Sequence, residues 1–308
     1  MINRIKTLEI STQAKLACAY SGVAWGLYWI PLRLMDQAGI YAAWSTVLFY
    51  AVPFLFFLPL TRQRWLSIRQ SKKSYHWIGI AAGCSLVLYA NAMLYTEVVR
   101  GILMFYLTPI WSLLLARVLL GEAITPPRVA AIILGVAGLF TILGIDQGTL
   151  LPGNIGDWMG LLAGLGWAIT AVLLRQDDGS HAQEFSTWYF FYGTIAAILL
   201  AVSPIAGEIQ VPEIAAIVEV LPWFLIVAPI LLIPGIYSAF WGAPHLNPGV
   251  VGLFFMTEIS VATITAALWA NEPFGLREIT GVVLISLAGL SEFIWPFLQT
   301  KVGVERAN

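Results

Sequence analysis

Apolar runs of about twenty residues alternate along the chain with short segments rich in charged residues, proline and glycine. The runs fall at 16–35, 42–60, 77–96, 101–120, 128–145, 156–174, 185–204, 217–241, 248–269 and 277–298. Each approaches the roughly 20 residues that an α-helix needs to cross the hydrocarbon core of a bilayer, so the pattern predicts ten transmembrane helices. Spanning strands would show about ten residues each with apolar and polar positions in alternation. The stretches 81–93 and 130–143 are apolar on every side, which excludes a barrel. The first run follows Arg4, Lys6 and Lys15, lacks a small-residue cleavage site and is long enough to span, so it reads as a retained helix and not a signal peptide.

Composition agrees. Of the residues, 59% are hydrophobic and 11% charged, with mean hydropathy +0.82. Soluble domains carry roughly 25% charged residues, so these are too few to coat a water-facing surface. Ten spans leave only about a third of the chain for tails and connections, too little for a soluble catalytic domain of normal size. Sixteen Lys and Arg against 17 Asp and Glu give no electrostatic footprint for nucleic acid. Cys18 and Cys84 both lie in apolar segments and form no disulfide framework.

Counted from a cytoplasmic N-terminus, every Lys and Arg other than Arg33, Arg100 and Arg277 falls on the cytoplasmic side, most densely in the 61–76 segment. The positive-inside bias therefore predicts cytoplasmic N- and C-termini in a bacterial-type plasma (inner) membrane.

The chain also repeats itself. Gly22-x-x-Trp25 with Leu32-Arg33 recurs as Gly164-x-x-Trp167 with Leu174-Arg175, at a constant offset of 142. Ser45-Thr46 with Phe49-Tyr50 recurs, after one inserted residue, as Ser186-Thr187 with Phe191-Tyr192. Thr108-Pro109-Ile110 is echoed by Thr257-Glu258-Ile259, Gly121-Glu122 by Asn271-Glu272, and Ala137-Gly138-Leu139 by Ala288-Gly289-Leu290. The order is kept across five helices, which divides the chain into five-helix repeats at 1–150 and 151–308. Because five is odd, the second repeat enters the membrane upside down relative to the first. Inverted repeats around a midplane site are the architecture of alternating access.

The Trp25-Gly26 pair, the Leu107-Thr108-Pro109-Ile110 segment, and Leu120-Gly121-Glu122 followed by Pro126-Pro127 resemble the drug/metabolite transporter superfamily, EamA-type, and the likeness covers nearly the whole chain. Within it the chain is most similar to YddG-type amino-acid exporters. The resemblance implies a ten-helix basket whose central cavity is lined mainly by helices 1, 3, 4, 6, 8 and 9. Where the family's second half usually keeps a proline, this chain has Glu258, which leaves the geometry of that helix open.

Glu258 lies near midplane depth, where a carboxylate costs at least about 2.5–3.5 kcal/mol on insertion scales. It is expected to meet a substrate ammonium or a coupling proton, or else to be a neutral group bonded within the packing. Trp25 and Trp167 are repeat-related and offer indole N–H donors beside small residues, as a substrate pocket or as interhelix packing. Tyr89, Asn91 and Tyr95 add polar groups to the third span, Asn91 and Tyr95 sharing a face. Tyr106 and Thr108 precede Pro109 in the fourth span. In the eighth, Tyr237 and Trp241 follow Pro234 at i+3 and i+7. Pro109, Pro229 and Pro234 each remove a backbone donor and are expected to act as gating or packing kinks. Gly156, Gly160 and Gly164 form a close-packing stripe. Glu122 and Glu272 read as helix-end residues.

His76, His181 and His245 are scattered, with no HExxH, cysteine pair or phosphate loop, so no metal, cofactor, ATP or catalytic centre is expected. The expected partners are a small-molecule substrate and the lipid bilayer, for a monomer or weak homodimer. The leading expectation is a secondary or facilitative exporter of amino acids, aromatic or neutral, or related small metabolites. A sugar, cationic-drug or polyamine transporter of the same superfamily, or a channel-like pore, stands as the alternative.

Overall fold

A computed structural model describes residues 2–40, 42–63, 73–96, 98–143, 152–177, 181–203, 211–269 and 274–305. Among them there is no strand, and the helices group into ten rods, four of them interrupted. They are α1a (Ile2–Gly26) and α1b (Trp29–Gln37), α2 (Ala42–Gln63), α3 (Lys73–Tyr95), and α4a (Val98–Phe105) with α4b (Thr108–Leu120). There follow α5 (Pro126–Leu143), α6 (Ile155–Leu174), α7 (Ala182–Ala201), and α8a (Ile214–Val227) with α8b (Ile233–Gly242). The last are α9a (Pro248–Phe255), α9b (Thr257–Trp269) and α10 (Leu276–Glu305). The ten runs of the hydropathy pattern all correspond to rods, and the additions lie at the ends, where α1a and α10 extend past their apolar parts. Among the described residues, the stretches Ile155–Leu174, Ile214–His245 and Pro248–Trp269 are each long and apolar enough to span a membrane on their own.

Local chemistry explains the starts and breaks. Asn154 caps α6 by accepting the Asp157 N–H at 2.9 Å, and Asn247 caps α9a by accepting that of Gly249 at 2.9 Å, with Pro248 next in line. Gly275 donates to Glu278 Oε2 at 2.7 Å, closing the first turn of α10. At the far end of α4b, Gly121 adopts the left-handed conformation, φ 68°, that terminates a helix. Pro229 sits in a wide π-type turn at Ala228–Leu232, where its missing N–H loosens the ladder between α8a and α8b.

The packing has an exchange symmetry. α5 lies on α10, α2 on α7, and α4b on α9a. The contact of α3 with α6 is mirrored by that of α1 with α8b, and the contact of α4 with α6 by that of α1 with α9. Adding five to each helix number carries these contacts onto one another, the pattern that a pseudo-twofold relation between the halves produces. At the α5–α10 interface, a Cβ on Gly138 would meet the Gly281 carbonyl at 2.8 Å, and one on Gly281 would meet the Gly138 carbonyl at 2.7 Å. The stripe Gly156, Gly160 and Gly164 packs α6 against the end of α3 and against α4a.

Candidate functional site

Two of the interrupted helices supply the site. α4 stops at Phe105, turns through Tyr106 and Leu107, and restarts at Thr108; α9 stops at Phe255, turns at Met256, and restarts at Thr257. Thr108-Pro109 and Thr257-Glu258 therefore stand at equivalent points of the two halves. Pro109 cannot offer the N–H that would pair with the Phe105 carbonyl, and the Thr108 hydroxyl donates to that carbonyl instead. The Thr257 hydroxyl donates to the Phe254 carbonyl at 2.7 Å. The break in α9 thus persists without a proline, and the geometry that Glu258 left open in the sequence is settled.

Helices α1 and α6 press on these two breaks through repeat-related glycines. A Cβ on Gly22 would lie 2.1 Å from Thr257 Oγ1 and 2.9 Å from the Phe254 carbonyl. One on Gly164 would lie 2.6 Å from the Phe105 carbonyl and 3.1 Å from Thr108 Oγ1. Any larger residue at either place would push a helix off the break it covers.

Glu258, on the first turn of α9b, reaches toward α3 and α4. Tyr89 donates to its Oε1 at 3.3 Å, and Tyr106 donates to its Oε2. The Tyr106 hydroxyl oxygen also lies 3.3 Å from the Phe255 carbonyl. Tyr89 stacks on Phe105 with ring centroids 4.0 Å apart, and Phe105 meets Tyr106 edge-on at 5.1 Å. Among the described residues no Lys or Arg pairs with the carboxylate. Although α1, α3 and α4 surround it, Glu258 keeps part of its accessible surface, as do Tyr89 and Tyr28. Tyr28, in the break of α1, donates to the Leu232 carbonyl at 3.2 Å, tying that break to the wide turn of α8.

Trp25 and Trp167 meet edge-to-face at 5.2 Å, 5% and 2% exposed, and the Phe255 ring packs on both, at 4.7 and 5.7 Å. Among the described residues the Trp167 N–H has no acceptor, and the Trp25 N–H lies near the Tyr28 hydroxyl. Phe240, Phe185 and Tyr189 continue this aromatic mass. Every residue of α9a is buried, whereas the buried residues of α9b are Ile259, Ser260 and Thr265. The interior is closed on the α9a side of the break and looser on the α9b side.

Polar clasps tie both ends. Beyond the aromatic mass, Glu122 accepts from Arg175 Nε at 2.9 Å and from Asn247 Nδ2, while Arg175 donates to the Pro244 carbonyl at 2.8 Å. At the opposite end Thr96 donates to Asp157 Oδ1 at 2.6 Å, and Gly153 N–H to its Oδ2 at 2.8 Å.

Of the residues singled out in the sequence, Tyr89, Tyr106 and Glu258 come together, Trp25 and Trp167 pair beside them, and Thr108 and Pro109 form the equivalent break. The others make contacts of their own. Asn91 is buried, with its amide donating to the Val87 carbonyl at 2.8 Å, and Tyr95 is at the end of α3. Tyr237, on α8b, is 44% exposed, and Trp241 packs on His245 at 5.2 Å. Pro229 shapes the wide turn, and Pro234 opens α8b. Sequence reasoning missed Tyr28, Phe255 and the Glu122–Arg175–Asn247 clasp. The signals were the i, i+3 spacings Trp25–Tyr28 and Phe255–Glu258 and the echo of Gly121-Glu122 in Asn271-Glu272.

A family model described as the EamA-like transporter family matches residues 13–144 and again residues 154–290. A crystal structure of a protein shares the fold with TM-score 0.70, over 92% of this chain and 97% of that one, at 16% identity. None of the curated proteins compared is similar enough in sequence to match.

Proposed function

Because the chain belongs to the EamA-like transporter family, matched twice along its length, we propose that it exports amino acids or related small metabolites across a bacterial-type plasma membrane by alternating access. Family membership makes it an integral membrane transporter of small molecules, not an enzyme. The finer reading rests on one observation: two discontinuous helices from opposite halves carry equivalent breaks, and a carboxylate at one of them is held by α3 and α4 hydroxyls. Interrupted helices at a repeat interface are where carriers place substrate, because the unwound backbone gains acceptors that a continuous helix hides.

Each repeat holds five helices, so in a membrane the second is inverted. With both termini cytoplasmic, the closed α9a side faces the cytoplasm and the looser α9b side faces outward. Trp25, Trp167 and Phe255 then act as the inner seal, with the Glu122–Arg175–Asn247 clasp beyond it. Rocking of the halves about the pseudo-twofold axis would exchange the sealed and open ends.

Counterflow in proteoliposomes tests this reading. A carrier loaded with unlabelled amino acid accelerates entry of the labelled form, as its site must return occupied. Equal rates from loaded and empty vesicles would indicate a pore and overturn it.

A further inference from the structure

We infer, building on the transporter reading above, that the Glu258 site selects its substrate by a protonated primary amine carried on a flat apolar group, and that it does not read a carboxylate. Among the described residues the charged group of the site is one acid, Glu258. Glu258 accepts only hydroxyl donors, from Tyr89 and Tyr106, so its negative charge has no counter-cation among the described residues. Two tyrosine O–H groups orient a carboxylate but leave its charge in place, and in a membrane interior that charge is met by a cation or by a proton.

An ammonium fits what surrounds it. It carries three donors, and the free lone pairs of Glu258 lie beside a further acceptor, the Phe255 carbonyl, 3.3 Å from the Tyr106 hydroxyl. The stacked Tyr89–Phe105 pair and the edge-on Tyr106 ring form an aromatic wall beside it, suited to a flat apolar group and favourable to a cation.

Among the described residues a substrate carboxylate finds no such reception. It would approach Glu258 as a like charge. Arg175 is engaged by Glu122 and the Pro244 carbonyl. Arg33 lies exposed, 6.0 Å from the centre of the Trp29 ring. An arylalkylamine should therefore bind at least as well as the amino acid that carries the same ring.

The test titrates melting temperature of the purified full-length protein with 2-phenylethylamine, phenylalanine and 3-phenylpropionate, since a ligand of the folded state raises it in proportion to affinity and concentration. The expected result is stabilisation by phenylethylamine at least equal to that by phenylalanine, and none by phenylpropionate. Glu258→Gln should weaken the amine at least about tenfold, as loss of a charge-assisted contact does. Tyr89→Phe, which leaves the charge and the stacked ring in place, should weaken it less and guards against a misfolded Gln variant. Stabilisation by phenylalanine but not phenylethylamine would overturn the inference, as would a Glu258→Gln variant that binds the amine normally or a protein indifferent to all three probes. Counterflow with amino acids decides the carrier reading separately, so the two can fail independently.

Discussion

Tyr106 and Tyr89 hold one carboxylate from two helices, the former closely and the latter at 3.3 Å. A hydrogen bond to an ionised group contributes about 1.5–3 kcal/mol, so Tyr106→Phe should lower counterflow at subsaturating substrate about tenfold, and Tyr89→Phe by less. The reverse order would mean that the Tyr89–Phe105 stack, not the hydroxyl, matters. Protons and amines compete for the same oxygens of Glu258. Apparent amine affinity should therefore fall as the medium is acidified and never rise, and Glu258→Gln should lose that dependence. A wild-type affinity that climbed on acidification would contradict the assignment. Glu258 was legible in the sequence because a lone acid in an apolar run is conspicuous. Tyr28 and Phe255 were not. The cause is the solvent. In lipid both the packed and the outer face of a helix are apolar, so periodicity does not mark the face that turns inward.

At the level of helices, the breaks in α4 and α9 depend on neighbours that carry no side chain. Gly164→Ala would drive a Cβ to 2.6 Å from the Phe105 carbonyl, a backbone atom that can move only with its helix. Overpacking of this kind costs typically about 1–3 kcal/mol, to be read as a lowered melting temperature. Gly22→Ala should behave alike, because the Thr257 hydroxyl in its path is already committed to Phe254. Gly289→Ala is the control: a Cβ there meets nothing within 4 Å, and stability should hold. Equal loss at all three would show that the effect is generic to glycine in these helices. The ten rods were readable from the length of the apolar runs, and the equivalence of the breaks from Thr108-Pro109 and Thr257-Glu258. The wide turn at Ala228–Leu232 was only half readable, since Pro229 announced a departure from regular helix but not its direction.

Across the whole molecule, burial is uneven: α9a is enclosed along its length, and α9b is not. In protein freed of Cys18 and Cys84, a cysteine at Val261 should react with an impermeant thiol reagent from the outer side, while one at Leu253 should not. Arg175→Ala removes both the Glu122 contact and the Pro244 contact, and should make position 253 reactive from the cytoplasmic side. Unchanged protection there would show that the aromatic mass alone closes that end. The duplication itself has a final consequence. In an identical pair of halves, tipping one way and tipping the other would be energetically indistinguishable, like two readings of a palindrome. Proline on one side and glutamate on the other end that equivalence, so an empty carrier should rest preferentially in one orientation, and a bound cation should shift the balance by weighing on a single arm.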